Sequence, residues 1–209
     1  MRNRAQGFTL IEILVVITII ASLAGAVLIL VPRIQDQQKK TQCADRLRQL
    51  GAVYTAETIE KGPPPHVGAS LFLFYRQKFY IQRGQEQVLT CPGDTQVRLP
   101  QSEAEAEVYD DMALDNPPDT ACSFMGRDFL NHPISAESKS AEIVACDRQG
   151  INHRTAHHRD GLNVLYNDGS VQFRDRDYLG VSSDEDIVVG EDSSVEMLRK
   201  VVYGPPRKE

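Results

Sequence analysis

The 209 residues carry a formal charge of −6, with 25% charged and 41% hydrophobic side chains. Once the apolar N-terminal run is subtracted, roughly 150 residues remain, enough for one globular domain with one core. The acidic balance, with no basic stripe to reverse it, argues against a nucleic-acid partner, and neither an internal repeat nor a long low-complexity tract is present.

The chain opens on MRNRAQG, a short polar leader whose Arg2 and Arg4 keep the N-terminus cytoplasmic by the positive-inside rule. From Phe8 to Val31 the only charge is Glu12, and sixteen of these residues are Leu, Ile, Val or Phe. As a helix the run covers about 36 Å, more than the ~30 Å hydrocarbon core of a bilayer. Its apolar side chains favour insertion by about 5 to 10 kcal/mol, against at most ~3 kcal/mol for one carboxylate. The segment therefore spans in spite of Glu12, but an acid this costly calls for a partner, the plain alternative being hydration at the interface. A secretory cut after ASLAGA (21–26) competes, yet Glu12 would interrupt that signal's core and the apolar run continues to Val31. No cysteine lies in the run to carry a lipoprotein anchor.

Gly7-Phe8-Thr9-Leu10-Ile11-Glu12, behind a basic leader and ahead of an unbroken apolar helix, resembles the processing site of the type IV pilin and type II secretion pseudopilin superfamily. The resemblance implies that a prepilin peptidase cuts after Gly7 and methylates Phe8, which takes the charge to −8 as Arg2 and Arg4 leave. It implies that Glu12 is an assembly residue, neutralising the free N-terminal amine of a neighbouring subunit. It further implies a single-pass inner-membrane protein with an extracytoplasmic head. Its partners would be other pilin-like subunits, an inner-membrane assembly platform and membrane lipid.

After Pro32, expected to kink the helix without ending it, Cys43, Leu47, Leu50 and Tyr54 recur on one helical face that should cover a sheet. Gly62-Pro63-Pro64-Pro65 stops the helix. The expected organisation is leader 1–7, membrane helix 8–31, amphipathic helix 32–61, head 62–175 and C-terminal extension 176–209. The fold class is α+β, a long N-terminal helix packed on a small antiparallel sheet. In the head, SLFLFYRQKFYI (70–81) fits a short helix through Leu71, Phe74, Tyr75 and Phe79 better than a strand, with its aromatics in the core. VLTCPGD (88–94) reads as a strand running into a turn.

Asp168-Gly169 signals a two-residue hairpin turn that pairs Asn167 with Ser170, Tyr166 with Val171 and Val164 with Phe173, placing the four apolar residues on one face. His158, nine residues and then Asp168-Gly169 resembles the H-x9-DG C-terminal module of prepilin-like proteins, often accompanied by a Cys-Pro turn, here Cys91-Pro92, and a helix cysteine, here Cys43. A structural role, tying the His158 loop to the turn at Asp168, is the expected one.

Facing an oxidising compartment, Cys43, Cys91, Cys122 and Cys146 can pair in three ways, between which sequence does not choose. Because Cys43 shares the helix face that meets the head, Cys43 with Cys91 and Cys122 with Cys146 is the pairing entertained. Cys146, His153 and His157 offer zinc ligands without a well-formed zinc spacing. Asp110, Asp111, Asp115 and Asp119 offer hard oxygens for calcium without an EF-hand spacing, so a solvated acidic loop is preferred and no cofactor is required. Ser193 and Glu196 form a capping-box pattern before VEMLRKVV, read as a short surface helix. No hydrolase or phosphate-loop motif occurs. The expected function is structural and not enzymatic, a pilin-like subunit of a type II secretion-like pseudopilus or a type IV pilus. The alternative is a membrane-anchored extracytoplasmic zinc enzyme or ligand-binding module.

Overall fold

The computed structural model describes the chain except for residues 1–8, 63–67, 79, 95–96, 98–99, 101, 103–104, 106, 108, 111, 113, 115–117, 119, 135–141, 149–157, 159 and 204–209. It divides into two units, Met1–Gln38 and Lys39–Glu209. One helix, α1 (Leu10–Lys61), supplies the described structure of the first unit and the opening element of the second. Pro32 lies inside α1 without ending it.

In the second unit the helical periodicity expresses itself directly. Cys43, Leu47, Leu50 and Tyr54 are all buried, and α1 closes at Gly62, whose N–H donates to the Thr58 carbonyl at 3.0 Å. The aromatic segment forms α2 (Ala69–Gln77), with Leu71, Phe72, Leu73 and Tyr75 fully buried. Phe79 lies outside the described residues. Residues 88–94 differ from the expected strand: they continue a 3-10 helix (Glu86–Leu89) into a turn closed by Asp94 N–H on the Cys91 carbonyl at 2.8 Å. The cause is Glu86, which turns inward to accept from the Gly84 N–H at 2.7 Å and from Arg76 Nε at 2.9 Å. Arg76 is wholly buried and also donates to Asp110 at 2.8 Å, so two carboxylates balance its charge.

Among the described residues five antiparallel strands follow: β1 (Phe124–Arg127), β2 (Ile143–Asp147), β3 (Gly161–Tyr166), β4 (Val171–Asp175) and β5 (Val201–Val202), in the order β4-β3-β2-β1-β5. The β3–β4 register is one residue off the expected one. Leu165 faces Val171 and Asn163 faces Phe173. The Gly169 N–H bonds to the Tyr166 carbonyl and the Tyr166 N–H to the Ser170 carbonyl, both at 2.9 Å. Gly169, at φ 80°, takes the left-handed position of a three-residue turn with a bulge. The slip sends Val164 and Tyr166 to one face and Leu165 and Val171 to the other.

Both faces are covered. Phe124, Val144, Ala145 and Leu165 meet α1 and α2 in one core. Met125, Ile143, Cys146, Leu162, Val164 and Tyr166 meet Leu179, Val181, Ile187, Val189, Leu198 and Val201 in a second. Residues 176–203 thus complete the head. They include a one-turn helix, α3 (Arg176–Leu179), capped by Asp175, and a 3-10 helix (Glu196–Lys200) with Leu198 fully buried where a surface helix was expected. Ser193 is buried too, donating to the Val188 carbonyl at 2.6 Å and accepting from Val195 N–H at 3.1 Å in place of a capping box.

Cys43 and Cys91 form a disulfide across a sequence separation of 48 with Cα atoms 5.0 Å apart; closing a loop of this length stabilises by about 4 kcal/mol. Cys122 and Cys146 do not pair. Cys122 belongs to the core under α1 and Cys146 to the core under the C-terminal segment, so the sheet separates their sulfurs.

Two outcomes follow from this packing. Leu198→Ala lowers the unfolding free energy by about 2 to 5 kcal/mol, whereas Tyr178→Ala, at a position 57% exposed, changes it by under about 1 kcal/mol; urea titration of each checks this, and a dispensable C-terminal segment would give two small values. The second outcome concerns alkaline pH. Burial pushes the Cys122 thiol from its ordinary 9 up to about 12 and also raises Cys146, with Asp147 adding to it. The folded chain therefore keeps protons that the unfolded chain releases above pH 9. Stability is intact below that value and falls as pH rises above it, for Cys122 as far as about 12, by up to about 1.4 kcal/mol per pH unit for each thiol still protonated in the fold. Unfolding free energies measured from about pH 7 to about pH 10 should show this decline, and Cys122→Ala should make it shallower.

Candidate functional site

Two places concentrate chemistry. The first is the start of α1. Thr9 and Glu12 form a reciprocal capping box: Glu12 Oε2 accepts from Thr9 N–H and Thr9 Oγ1, both at 2.8 Å, and Glu12 N–H donates to Thr9 Oγ1 at 3.3 Å. Thr-Leu-Ile-Glu is the signal for it, and the sequence reading did not use it. Further along, Thr18 Oγ1 donates to the Leu14 carbonyl and Ser22 Oγ to the Ile19 carbonyl at 2.8 Å. These hydroxyls are satisfied within the helix, as a hydrocarbon environment demands. Leu10, Ile11, Ile13, Leu14 and most of the apolar side chains as far as Val31 are exposed. Among the described residues α1 is the helix long and apolar enough to cross a membrane, with a mean hydropathy of 3.0 over its apolar window. Gly7 and Phe8, the expected processing residues, lie outside the described residues.

The second place is buried against the other half of α1. His158 is fully buried, with Nε2 3.7 Å from Cys91 Sγ and 3.5 Å from Asp147 Oδ2. Its ring meets Phe173 edge-on at 6.3 Å between centroids. Asp147, equally buried, accepts on Oδ2 from Asn163 N–H at 2.7 Å and Asn163 Nδ2 at 2.8 Å. Lys40 Nζ pairs with Asp160 at 2.9 Å and lies 5.0 Å from the centre of the Phe173 ring. Ligand atoms of Cys43, Cys91, Asp147 and His158 all fall within 4.8 Å of one another, the group among the described residues able to hold a metal.

The expected tie between His158 and Asp168 is absent, because the two stand at opposite ends of β3. Asp168 instead stabilises its own turn, accepting from Ser170 N–H at 2.9 Å. Hydrogen bonds from Ser170 hold its carboxyl below the usual carboxylate range. Tyr54 Oη donates to Asn167 Oδ1 at 2.9 Å and so fixes that turn to α1.

The proposed zinc set does not assemble around Cys146, which lies in the second core; His153 and His157 lie outside the described residues. Of the calcium candidates, Asp110 is engaged by Arg83 and Arg76, and the Arg83 guanidinium holds its carboxyl below the usual range. Asp111, Asp115 and Asp119 lie outside the described residues. Sequence reasoning missed Asp147 entirely. An acid ending the run IVACD carries no motif, and only the β2–β3 pairing brings it beside His158.

Residues 2–28 match the family model of the prokaryotic N-terminal methylation motif. No curated protein and no solved structure matches the chain. The match covers the cut site, Glu12 and most of the apolar run, and does not reach the head. The methylation motif, the apolar helix that carries it and the α+β head together support a pilin-like, membrane-anchored chain that is a substrate of prepilin peptidase.

Proposed function

We propose that the protein is a structural subunit of a type IV pilus or of a type II secretion-like pseudopilus. It is cut after Gly7, methylated at Phe8, held in the inner membrane by residues 8–31 with its head extracytoplasmic, and assembled with other pilin-like subunits on an inner-membrane platform. The observation that carries this reading is a methylation motif whose one acid, Glu12, opens a long helix with exposed apolar side chains. Surrounding lipid or neighbouring helices of the same kind satisfy such a surface. A catalytic reading is less well supported, because Cys43, Asp147 and His158 are fully buried, whereas a catalytic zinc keeps a position open to substrate.

Mass spectrometry of the mature chain should find N-methylated Phe8 at the N-terminus; Val27 there would indicate the ordinary secretory route.

The role of Glu12 separates into hydrogen bonding and charge. Glu12→Gln preserves the capping box, since glutamine serves at that position, and removes the charge; Glu12→Leu removes both. Each should still insert and be cut. If Glu12 neutralises a neighbour's amine, both leave an unpaired buried charge costing about 3 to 5 kcal/mol. Crosslinking into oligomers with partner subunits then falls about a hundredfold or more for both. Wild-type incorporation of processed Glu12→Gln would make capping the role and refute the charge pair.

A further inference from the structure

A disulfide has no need of an acid and an imidazole beside it, and a buried carboxylate is costly unless hydrogen-bonded, as Asn163 makes Asp147. Yet Asp147 and His158, both fully buried, are held against Cys43 and Cys91. With metal–sulfur bonds of about 2.3 Å and metal–nitrogen or metal–oxygen bonds of about 2.0 to 2.1 Å, the edges of a tetrahedral zinc site measure about 3.3 to 3.8 Å. The His158 Nε2 to Cys91 Sγ and His158 Nε2 to Asp147 Oδ2 separations, 3.7 and 3.5 Å, already have these lengths. The two sulfurs are bonded to each other and so stand too close for such an edge, and all four ligand atoms lie within 4.8 Å of one another. Opening that bond frees the two cysteine side chains to turn onto an ion beside His158 and Asp147.

We infer that the reduced head binds one zinc ion through Cys43, Cys91, Asp147 and His158, and that this metal and the Cys43–Cys91 disulfide are alternative clasps on the same two cysteines, the metal gathering two further chain segments. The inference goes beyond the filament reading and stands without it. Two thiolates, one imidazole and one carboxylate form a closed four-ligand set suited to a structural zinc. The ligands come from α1, the turn after the first 3-10 helix, the end of β2 and the chain just before β3. Outer contacts are already in place: Gly93 N–H points at Cys91 Sγ at 3.4 Å, and Asn163 holds the Asp147 carboxylate through its N–H and its side-chain amide.

Exchange between the two states balances. A phosphine reductant supplies an electron pair, the S–S bond breaks, each sulfur takes a proton, and the phosphine leaves as its oxide with oxygen from water. A dithiol does the same and leaves as its own disulfide. Zinc then displaces both thiol protons to solvent as two Zn–S bonds form, and His158 binds as neutral imidazole through Nε2 with its proton on Nδ1.

The test uses the full chain in detergent, with zinc measured by elemental analysis and chelator competition, and cobalt as a spectroscopic substitute. Phosphine-reduced wild type should take up one zinc per chain and oxidised wild type none. Reduced protein with cobalt should show thiolate-to-cobalt charge-transfer bands and the visible bands of a tetrahedral site. Loss of an outer contact alone weakens metal binding about 10- to 100-fold, so His158→Ala, which removes a ligand, should weaken it by more than about a hundredfold. Formation of the Cys43–Cys91 bridge in oxidised His158→Ala verifies that this variant folds, and Asp147→Asn provides a milder second variant. Reduced wild type that takes up no zinc, equal zinc binding by oxidised protein, affinity unchanged in both variants, or a cobalt complex without thiolate bands would each overturn the assignment.

Discussion

The constraint on which the head depends is the fit of one strand along one helix. Lys40 meets Asp160 and Tyr54 meets Asn167. Between those contacts α1 advances fourteen residues, about 21 Å at helical rise, while the chain through β3 advances seven, about 23 Å at strand rise. The two lengths agree, so β3 can be pinned to α1 at both ends without strain. Nearer the Tyr54 end, Gly51 leaves room for the Leu165 side chain; a Cβ there would come within 2.6 Å of Leu165 Cδ1. The His158-to-Gly169 spacing thus has a physical reading. The histidine marks the end of β3 where the cysteines join α1 to the head, and Asp168-Gly169 forms the turn that Tyr54 grips at the other end.

Pinning β3 this way buries one face of the sheet and leaves the other to be covered. Leu162, Val164 and Tyr166 project away from α1 and would form an apolar surface without residues 176–203. That segment has little regular structure of its own. It closes the second core by returning Val201–Val202 to the sheet edge beside β1, while Arg176 holds the intervening loop through the Ser182 and Glu185 carbonyls. Its order comes from tertiary burial and not from helix or strand propensity, as expected where short elements cannot stand alone.

This explains what could be read from the sequence. The buried face of α1 was legible because four apolar residues keep helical spacing over three turns, and α2 because Leu71, Phe74 and Tyr75 do so over one. The antiparallel head was legible through the Asp168-Gly169 turn, but its register was not. A two-residue turn and a three-residue turn with a left-handed glycine share the same dipeptide, and they send alternate residues to opposite faces. A sheet buried on both faces also defeats alternation as a signal, so β2, buried at every position, gave no period to read. The site around His158 was half legible. Its histidine, Cys43 and Cys91 stood out, whereas Asp147 and Asn163 acquire meaning only from strand pairing.

The N-terminal half of α1 obeys a different constraint, since no apolar core covers it among the described residues. Its hydroxyls bond to carbonyls one turn back, so the helix makes no polar demand on its surroundings until Glu12. There the capping box accounts for the hydrogen bonds of both Thr9 and Glu12. A hydrogen bond does not neutralise charge, however, and Thr9 contributes none. A glutamine at that position would cap an apolar helix at lower cost in a membrane, so capping alone does not explain why the residue is an acid. What a carboxylate adds is attraction for a cation. In a chain cut after Gly7 the cation nearest in sequence is the new N-terminal amine. Phe8 and Glu12 stand four positions apart in the sequence, so every cut chain carries one such amine and one such acid, equal in number wherever copies meet.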